Sequence, residues 1–347
     1  MLDRIIRKRR SPLSARGQGR KGDLDARGWK GGFDAWRVNV NDTATLCSHG
    51  RVLPSLLLLG CMKCATTLLH KIIVKACPRT VTQGQRLKKE SWFRFKEKHY
   101  FDRNETIEEG VRFYVQHYPR CPDESRAVVG LDSTQAYLKT PWAAPRAATT
   151  YGADAGRVRF IVVLREPVAR LLSNYHHRRK SGDLANEPVF EAYAVKQLDE
   201  AAACGGGAPL WGRCGARPTD GLWVGLYHEQ LRHWLAFFSA PQFALVPFSE
   251  VTGNQDAALR ALLGRLELPC AFNAPPLDKR VNSKTPGNAT IDDAVRASLA
   301  AFYAPANDAL VRLVHAEGLR VELAGANYSS RDFADYACDS EPCAWPF

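Results

Sequence analysis

SLLLLGCMKCATTLLHKIIVKAC, residues Ser55 to Cys77, reads as an apolar run, a break of small residues and a second apolar run. Val52 to Leu59 is short and almost continuously apolar, as a strand buried on both faces would be, and Thr66 to Lys75 fits the helix that follows. The same order returns in RVRFIVVLREPVARLLSNYHH, Arg157 to His177: a strand to Leu164, a break at Arg165-Glu166, Pro167 in a first helical turn, then a helix. Between the two lie FKEKHYFD and VVGLDSTQAYL, each a candidate strand or strand edge with a loop attached. Further on, Tyr227, Leu231, Trp234 and Phe238 recur at helical spacing, FALVPFSEV reads as a strand, and Ala257 to Leu266 and Asp292 to Val314 read as helices. This alternation predicts an α/β fold with a central, mostly parallel sheet covered on both faces.

The 347 residues suffice for one large α/β domain with appendages, and 45% hydrophobic with 24% charged residues is ordinary globular composition. The net charge of +12 is uneven, because the first fifty residues hold 11 Lys/Arg against 5 Asp/Glu. RKRRSPLSARGQGRKG lacks an apolar period, so residues 1–50 are expected to be a basic flexible arm, a solvated tail rather than a nucleic-acid-binding element. The domain itself is expected over residues 51–325, with a Cys-containing tail at 326–347. No stretch approaches the roughly 20 apolar residues of a membrane span. Ten cysteines and sequons at Asn41, Asn104, Asn288 and Asn327 tilt the expectation toward a secretory lumen. Cys204 with Cys214, and Cys338 with Cys343, have spacings that suit local disulfides. Any membrane attachment would then need an anchor not visible here, an incomplete N-terminus or another targeting route.

The break Cys61-Met62-Lys63-Cys64 admits three chemistries. A zinc site needs a second ligand pair at matching spacing, and the other cysteines form no further C-x-x-C. A thioredoxin-like dithiol also sits between strand and helix, where the helix N-terminus stabilises a thiolate, but it has no need of the preceding Gly60 or the following Ala65-Thr66-Thr67. An anion-binding loop uses every residue. Gly60 turns the chain, backbone N–H groups from Lys63 to Thr67 face an anion, the helix dipole assists, and Lys63 neutralises charge. The spacing does not match G-x-x-x-x-G-K-[ST], in which Lys directly precedes the hydroxyl that holds Mg²⁺.

The loop resembles the 5′-phosphosulfate loop G-x-x-K-x-G-T-T of the sulfotransferase family, which binds the 5′ end of 3′-phosphoadenosine 5′-phosphosulfate (PAPS). Gly60, Lys63, Thr66 and Thr67 match, with Cys61, Met62 and Cys64 between them. Ala65 replaces a glycine, and a positive φ there would cost about 1–2 kcal/mol. VVLREPVARLLSNY resembles the family's 3′-phosphate motif, which implies that Arg165 and Ser173 hold the second phosphate; a guanidinium suits phosphate as a planar charged donor. FKEKHYFD resembles the K-E-x-H-F-F segment of the glycosaminoglycan-type members, which implies Glu97 as catalytic base. Period-two alternation independently puts Glu97 and His99 on one face of an extended segment, with Lys96 and Lys98 on the other. Two later segments, GLYHEQLRHWLAFF and LAAFYAPANDALVRLV, resemble further motifs of the same group, with Tyr227 a cofactor-side candidate. Lys284, near Lys279 and Arg280, is the candidate for the basic loop that closes over the nucleotide.

The resemblance spans roughly residues 52–316. It implies a P-loop-type three-layer α/β/α fold, a Golgi-type setting, and sulfuryl transfer from PAPS to a carbohydrate hydroxyl or amine, with no metal required. The acceptor it implies is an anionic polysaccharide, which Arg86, Lys88, Lys89, Arg94, Lys98 and the run from His176 to Lys180 would attract. Lys63 would offset charge on the leaving phosphate, Glu97 would take the proton, and His99 would assist or orient Glu97. Rival readings are a P-loop kinase needing ATP and magnesium, a sulfotransferase for protein tyrosine or a small hydroxyl compound, and a non-catalytic polyanion binder.

Overall fold

Leu56 to Leu59, the apolar run before the loop, form the buried centre of a parallel sheet. In the computed structural model, the residues described are 45–85, 96–123, 127–203, 221–253, 259–260, 262–263 and 291–321. A hairpin of β1 (Cys47–Ser48) and β2 (Arg51–Val52) precedes the sheet strands β3 (Pro54–Gly60), β4 (Val81–Gln83), β5 (Val129–Asp132), β6 (Arg159–Leu164), β7 (Phe243–Pro247) and β8 (Arg320–Val321). Their order is β4-β5-β3-β6-β7-β8 and every pairing is parallel. The helices are α1 (Thr66–Ala76), α2 (Asn104–Glu108), α3 (Gly110–Val115), α4 (Ala143–Tyr151), α5 (Pro167–Ser181), α6 (Phe190–Ala203), α7 (Tyr227–Leu235), α8 (Phe248–Gly253) and α9 (Asp293–Ala316).

The strand order decides where a ligand can bind. From β3 the chain crosses through α1 to β4, at one edge of the sheet, whereas from β6 it continues to β7 on the opposite side. The crossovers diverge between β3 and β6, and open α/β sheets hold their ligands in the crevice that such a divergence leaves at the carboxyl ends of the strands. The two segments singled out in the sequence are the loops that leave those two strands.

Packing follows the apolar pattern. The main core gathers the β3 and β6 side chains with α1, α4 and α7, including Leu69, Ile73, Ala147, Leu231 and Trp234. A second cluster joins α5, α6 and α9 through Leu171, Tyr175, Phe190, Tyr193, Leu299 and Tyr303. The expected helix from Asp292 is α9, capped by Asp292, whose carboxylate accepts from Ala294 N and Val295 N. Among the described residues no helix is long and apolar enough to cross a membrane.

Three expectations need correction. FKEKHYFD is not a strand: Lys96 is helical, and residues 97–99 pair with no strand. Its backbone is satisfied by side chains instead, with Lys98 N donating to Thr134 Oγ1 at 2.8 Å and Tyr100 N to the Tyr137 hydroxyl at 2.9 Å. FALVPFSEV divides, because β7 ends at Pro247 and α8 begins at Phe248. The run from Val52 divides as well, since β2 pairs with β1 and β3 begins at Pro54.

Disulfides join Cys47 to Cys121 and Cys61 to Cys64, and Cys77 is also disulfide-bonded. The first links residues 74 apart, a closure on the order of 4 kcal/mol in the chain-entropy account. The expected Cys204–Cys214 and Cys338–Cys343 pairs lie outside the described residues, as do the sequons at Asn41, Asn288 and Asn327. Asn104 is exposed at the start of α2.

Candidate active site

The loop from Gly60 to Thr67 bends tightly between β3 and α1. A Cβ on Gly60 would come within 3.0 Å of Leu138 Cβ and 3.1 Å of Gln135 O, so the turn that follows β5 packs directly on it. Lys63 and Ala65 have φ of 71° and 58°. Ala65 therefore does occupy the left-handed region that the family glycine would take without strain, and its Cβ costs about 1–2 kcal/mol there. Ala65 is also the N-cap of α1, and no side chain caps that end. Leu68 N donates to Ala65 O at 2.9 Å, while no side chain caps the N–H groups of Thr66 and Thr67, which suit an outside acceptor.

Cys61 and Cys64 are joined within this loop and both are buried. Thiol–disulfide exchange needs access for the attacking thiolate, so the pair is poorly placed for thioredoxin-type chemistry. Its evident consequence is to close a short ring around Met62 and Lys63.

Arg165, at the end of β6, donates from Nη1 to Lys63 O at 2.8 Å, and its guanidinium lies 4.4 Å from the Phe248 ring centroid. Tyr227 is buried, donates its hydroxyl proton to Arg165 O at 2.9 Å and lies 3.3 Å from Cys61 Sγ. It therefore braces the two loops from beneath. Burial, then the charge of Arg165, pulls the Lys63 ammonium below its ordinary value; burial is also the largest cause lowering Arg165. Two desolvated cations that repel one another are a site that an anion would relieve. An anion between the strands fits them and the uncapped α1 N-terminus.

The second helix start behaves differently. Glu166 caps α5, its carboxylate accepting from Val168 N at 2.8 Å and Ala169 N at 2.6 Å. These amides are occupied, so a phosphate here would be held by side chains such as Arg165 and not by the helix terminus. Ser173 lies further along α5 and is nearly buried. Lys284, with Lys279 and Arg280, lies outside the described residues.

Glu97 and His99 do come together, Oε2 to Nε2 at 3.4 Å, while His99 Nδ1 is 2.8 Å from Asp102 Oδ2. Burial disfavours the imidazolium, but the Asp102 and Glu97 hydrogen bonds and the Asp102 charge outweigh it and raise His99 to about 9. At neutral pH His99 is thus a charged donor to two carboxylates. It orients Glu97 and is not itself available as a base. Burial also pushes the Glu97 carboxyl up, and His99 with Lys96 more than reverses this, leaving it below the usual carboxylate value.

The alternation argument misplaces Lys96. Its Nζ is 2.7 Å from Glu97 Oε1 and donates to Thr67 Oγ1 at 3.0 Å, which ties the Glu97 turn to the first turn of α1. Lys98 is buried and its Nζ donates to Gln85 O, so it cannot attract a polymer from solution. Arg86, Lys88, Lys89 and Arg94 lie outside the described residues, whereas His177, Arg179 and Lys180 are exposed at the end of α5.

The support for residues 97–99 comes from the segment after β5, which the sequence shows only as a strand with a loop attached. Asp132, fully buried, accepts from the Tyr114 and Tyr137 hydroxyls at 2.8 and 2.7 Å and from Thr134 Oγ1 at 2.6 Å. Thr134 Oγ1 in turn accepts from Lys98 N and His99 N. Burial raises the Asp132 carboxyl above its usual value despite these donors. His70 of α1 is kept neutral, burial lowering it to about 4, and bridges Ser133 and Gln83. Asp132 and Thr134 carry no separate signal in the sequence, since they act on Lys98 and His99 more than 30 residues away.

A parallel α/β sheet whose two strand–helix loops meet at its switch point belongs to the open α/β class that binds ligands at the carboxyl ends of its strands. Within that class the chain belongs to the sulfotransferase domain family, whose match covers residues 53–282. It is 25% identical over 285 residues to the membrane-associated sulfotransferase kil1 of Dictyostelium discoideum, covering 62% of this chain and 56% of that protein. It is 29% identical over 154 residues to the human heparan sulfate glucosamine 3-O-sulfotransferase 6, covering 43% of this chain and 37% of that protein. The chain thus matches less than two thirds of the length of these relatives. Among solved structures, a sulfotransferase from Alicyclobacillus acidocaldarius aligns with a TM-score of 0.53 at 21% identity, over 76% of this chain and 96% of that one, a likeness of fold.

Proposed function

We propose that the chain transfers a sulfuryl group from PAPS to a hydroxyl or amine of a carbohydrate, with an anionic polysaccharide as the acceptor class. The carrying observation is the 2.8 Å contact of Arg165 with Lys63 O, which sets the two loops side by side, together with the Lys96 bridge from Thr67 to Glu97. The bound donor supplies an activated sulfuryl group on a phosphate leaving group, with charge spread as in loose phosphoryl transfer. Lys63 and the amides of Lys63, Ala65, Thr66 and Thr67 hold the 5′ end and offset charge there. Arg165, with Ser173 further along α5, holds the 3′-phosphate. Glu97 accepts the acceptor's proton while His99, fixed by Asp102, keeps the carboxylate aimed. Tyr227 serves this site by bracing both loops.

The relatives named for heparan sulfate support a carbohydrate acceptor, and the exposed Arg179 and Lys180 supply positive surface for an anionic chain. The disulfides support a secretory-lumen setting. The test is a thermal-shift titration with 3′-phosphoadenosine 5′-phosphate beside ATP with magnesium, then labelled sulfate transfer onto a glycan panel. Stabilisation by the bisphosphate nucleotide and transfer to a glycan are expected. Magnesium-dependent ATP binding without either result would move the chain to phosphoryl transfer.

A further inference from the structure

Both oxygens of Glu97 are engaged: Oε1 lies 2.7 Å from Lys96 Nζ and Oε2 3.4 Å from His99 Nε2. Each oxygen keeps a second lone pair for an incoming hydroxyl, but an oxygen that shares its charge with an adjacent cation is a weaker proton acceptor, and a general base works best when that cation has moved away. Opening one contact would strengthen the base. His99 is the poorer candidate, because Asp102 holds its other nitrogen at 2.8 Å and the Thr134 hydroxyl accepts from its backbone N–H. Lys96 is the better one. Its ammonium already donates to Thr67 Oγ1 at 3.0 Å, in the first turn of the helix whose N-terminus no side chain caps. It stands between the carboxylate and the place where an anion would lie. An ammonium on a flexible four-carbon stem can exchange one oxygen partner for another with little rearrangement.

We propose that Lys96 is a donor-responsive switch, whose ammonium leaves Glu97 Oε1 for the 5′ end of the nucleotide when the donor site fills, so that the acceptor hydroxyl no longer shares that oxygen with a cation. The inference rests on the sulfotransferase reading of the site. It makes the base strongest once the donor is in place, so acceptor deprotonation and donor occupancy become coupled. No bond is made or broken in this step; one ion pair replaces another.

Linkage supplies a test that needs no turnover. If Glu97 competes with the nucleotide for Lys96, removing the Glu97 charge releases the lysine and tightens donor binding, and that gain must vanish when Lys96 is absent. Binding of 3′-phosphoadenosine 5′-phosphate is measured by calorimetry for the wild type, Glu97→Gln, Lys96→Met and the double variant, with Lys96→Arg as the charge-retaining control. Expected are tightening of about 5-fold for Glu97→Gln and weakening of at least about 10-fold for Lys96→Met, with Glu97→Gln then neutral in the Lys96→Met background. Lys96→Arg should recover most of the affinity. Equal tightening by Glu97→Gln with and without Lys96 would reduce the effect to simple charge repulsion and overturn the switch. So would unchanged affinity in a folded Lys96→Met, with folding checked by circular dichroism. Failure of the wild type to bind the nucleotide at all would instead overturn the reading of the site on which the switch depends.

Discussion

The α1 and α5 helix starts look alike in sequence, each a short break after an apolar strand, yet they end in opposite chemistry. At α1 the cap position holds Ala65, with no side-chain oxygen and a left-handed backbone, so the terminus stays open. At α5 the cap is Glu166, whose carboxylate closes on the first-turn amides. One strand–turn–helix unit therefore offers its backbone and dipole to an anion, while the other offers only the Arg165 guanidinium and side chains further along the helix. The difference teaches that a helix N-terminus becomes a binding site when its cap is withheld, and that the nucleotide's two ends would be held by different means.

The largest expected effects come from charges that face the open terminus. Lys63→Ala and Glu97→Gln should each lower turnover at least about a hundredfold in a sulfate-transfer assay, the scale of losing a charge stabiliser or a general base. Next is the variant that would make α1 resemble α5. Ala65→Asp supplies a carboxylate to its own first-turn amides, and nucleotide affinity measured by calorimetry should fall by at least about tenfold. Retained affinity would show that the open terminus is not the anion site.

A third prediction concerns the turn that faces this terminus. The folded pKa of His99, raised to about 9, lies above its unfolded value, so its contribution to stability is fully present below about pH 6.5 and is lost as pH rises through 9. Both Tm and turnover should decline over that window, and His99→Asn should remove the His99-dependent part of the decline. On the closed side, Glu166→Ala should cost about 1 kcal/mol in denaturant unfolding, the usual worth of a cap, while nucleotide binding persists. Smallest is Ala65→Gly, which removes left-handed strain but adds chain freedom. Its net gain in stability should stay below about 1 kcal/mol by thermal melting.

Legibility in the sequence varied with how local the cause was. The loop from Gly60 to Thr67 and the Arg165 turn could be read because strand, turn and helix each leave a pattern in adjacent residues. FKEKHYFD misled, because alternation presumes a strand, whereas this segment hangs its amides on Thr134 and Tyr137. Lys96 was set apart from Glu97 for that reason, although the two form a 2.7 Å ion pair. The C-x-x-C spacing gives no sign that Cys61 and Cys64 bond to each other, buried within the loop they close.

From sequence alone came the alternation of elements, the parallel sheet, the two loops that mark the family and the pairing of Glu97 with His99, since apolar periodicity and short motifs are properties of neighbouring residues. Tertiary structure decided the rest: which helix terminus stays open, that Asp102 and Lys96 hold the two ends of the Glu97–His99 pair, and that Asp132 and Thr134 carry the turn beneath them. The support beneath the turn depends on groups more than 30 residues apart, Lys98 with Asp132 and Lys98 with Thr134, and the Lys96 bridge to Thr67 crosses a similar distance. Only the folded chain brings such groups within hydrogen-bond distance, and no local pattern encodes that approach.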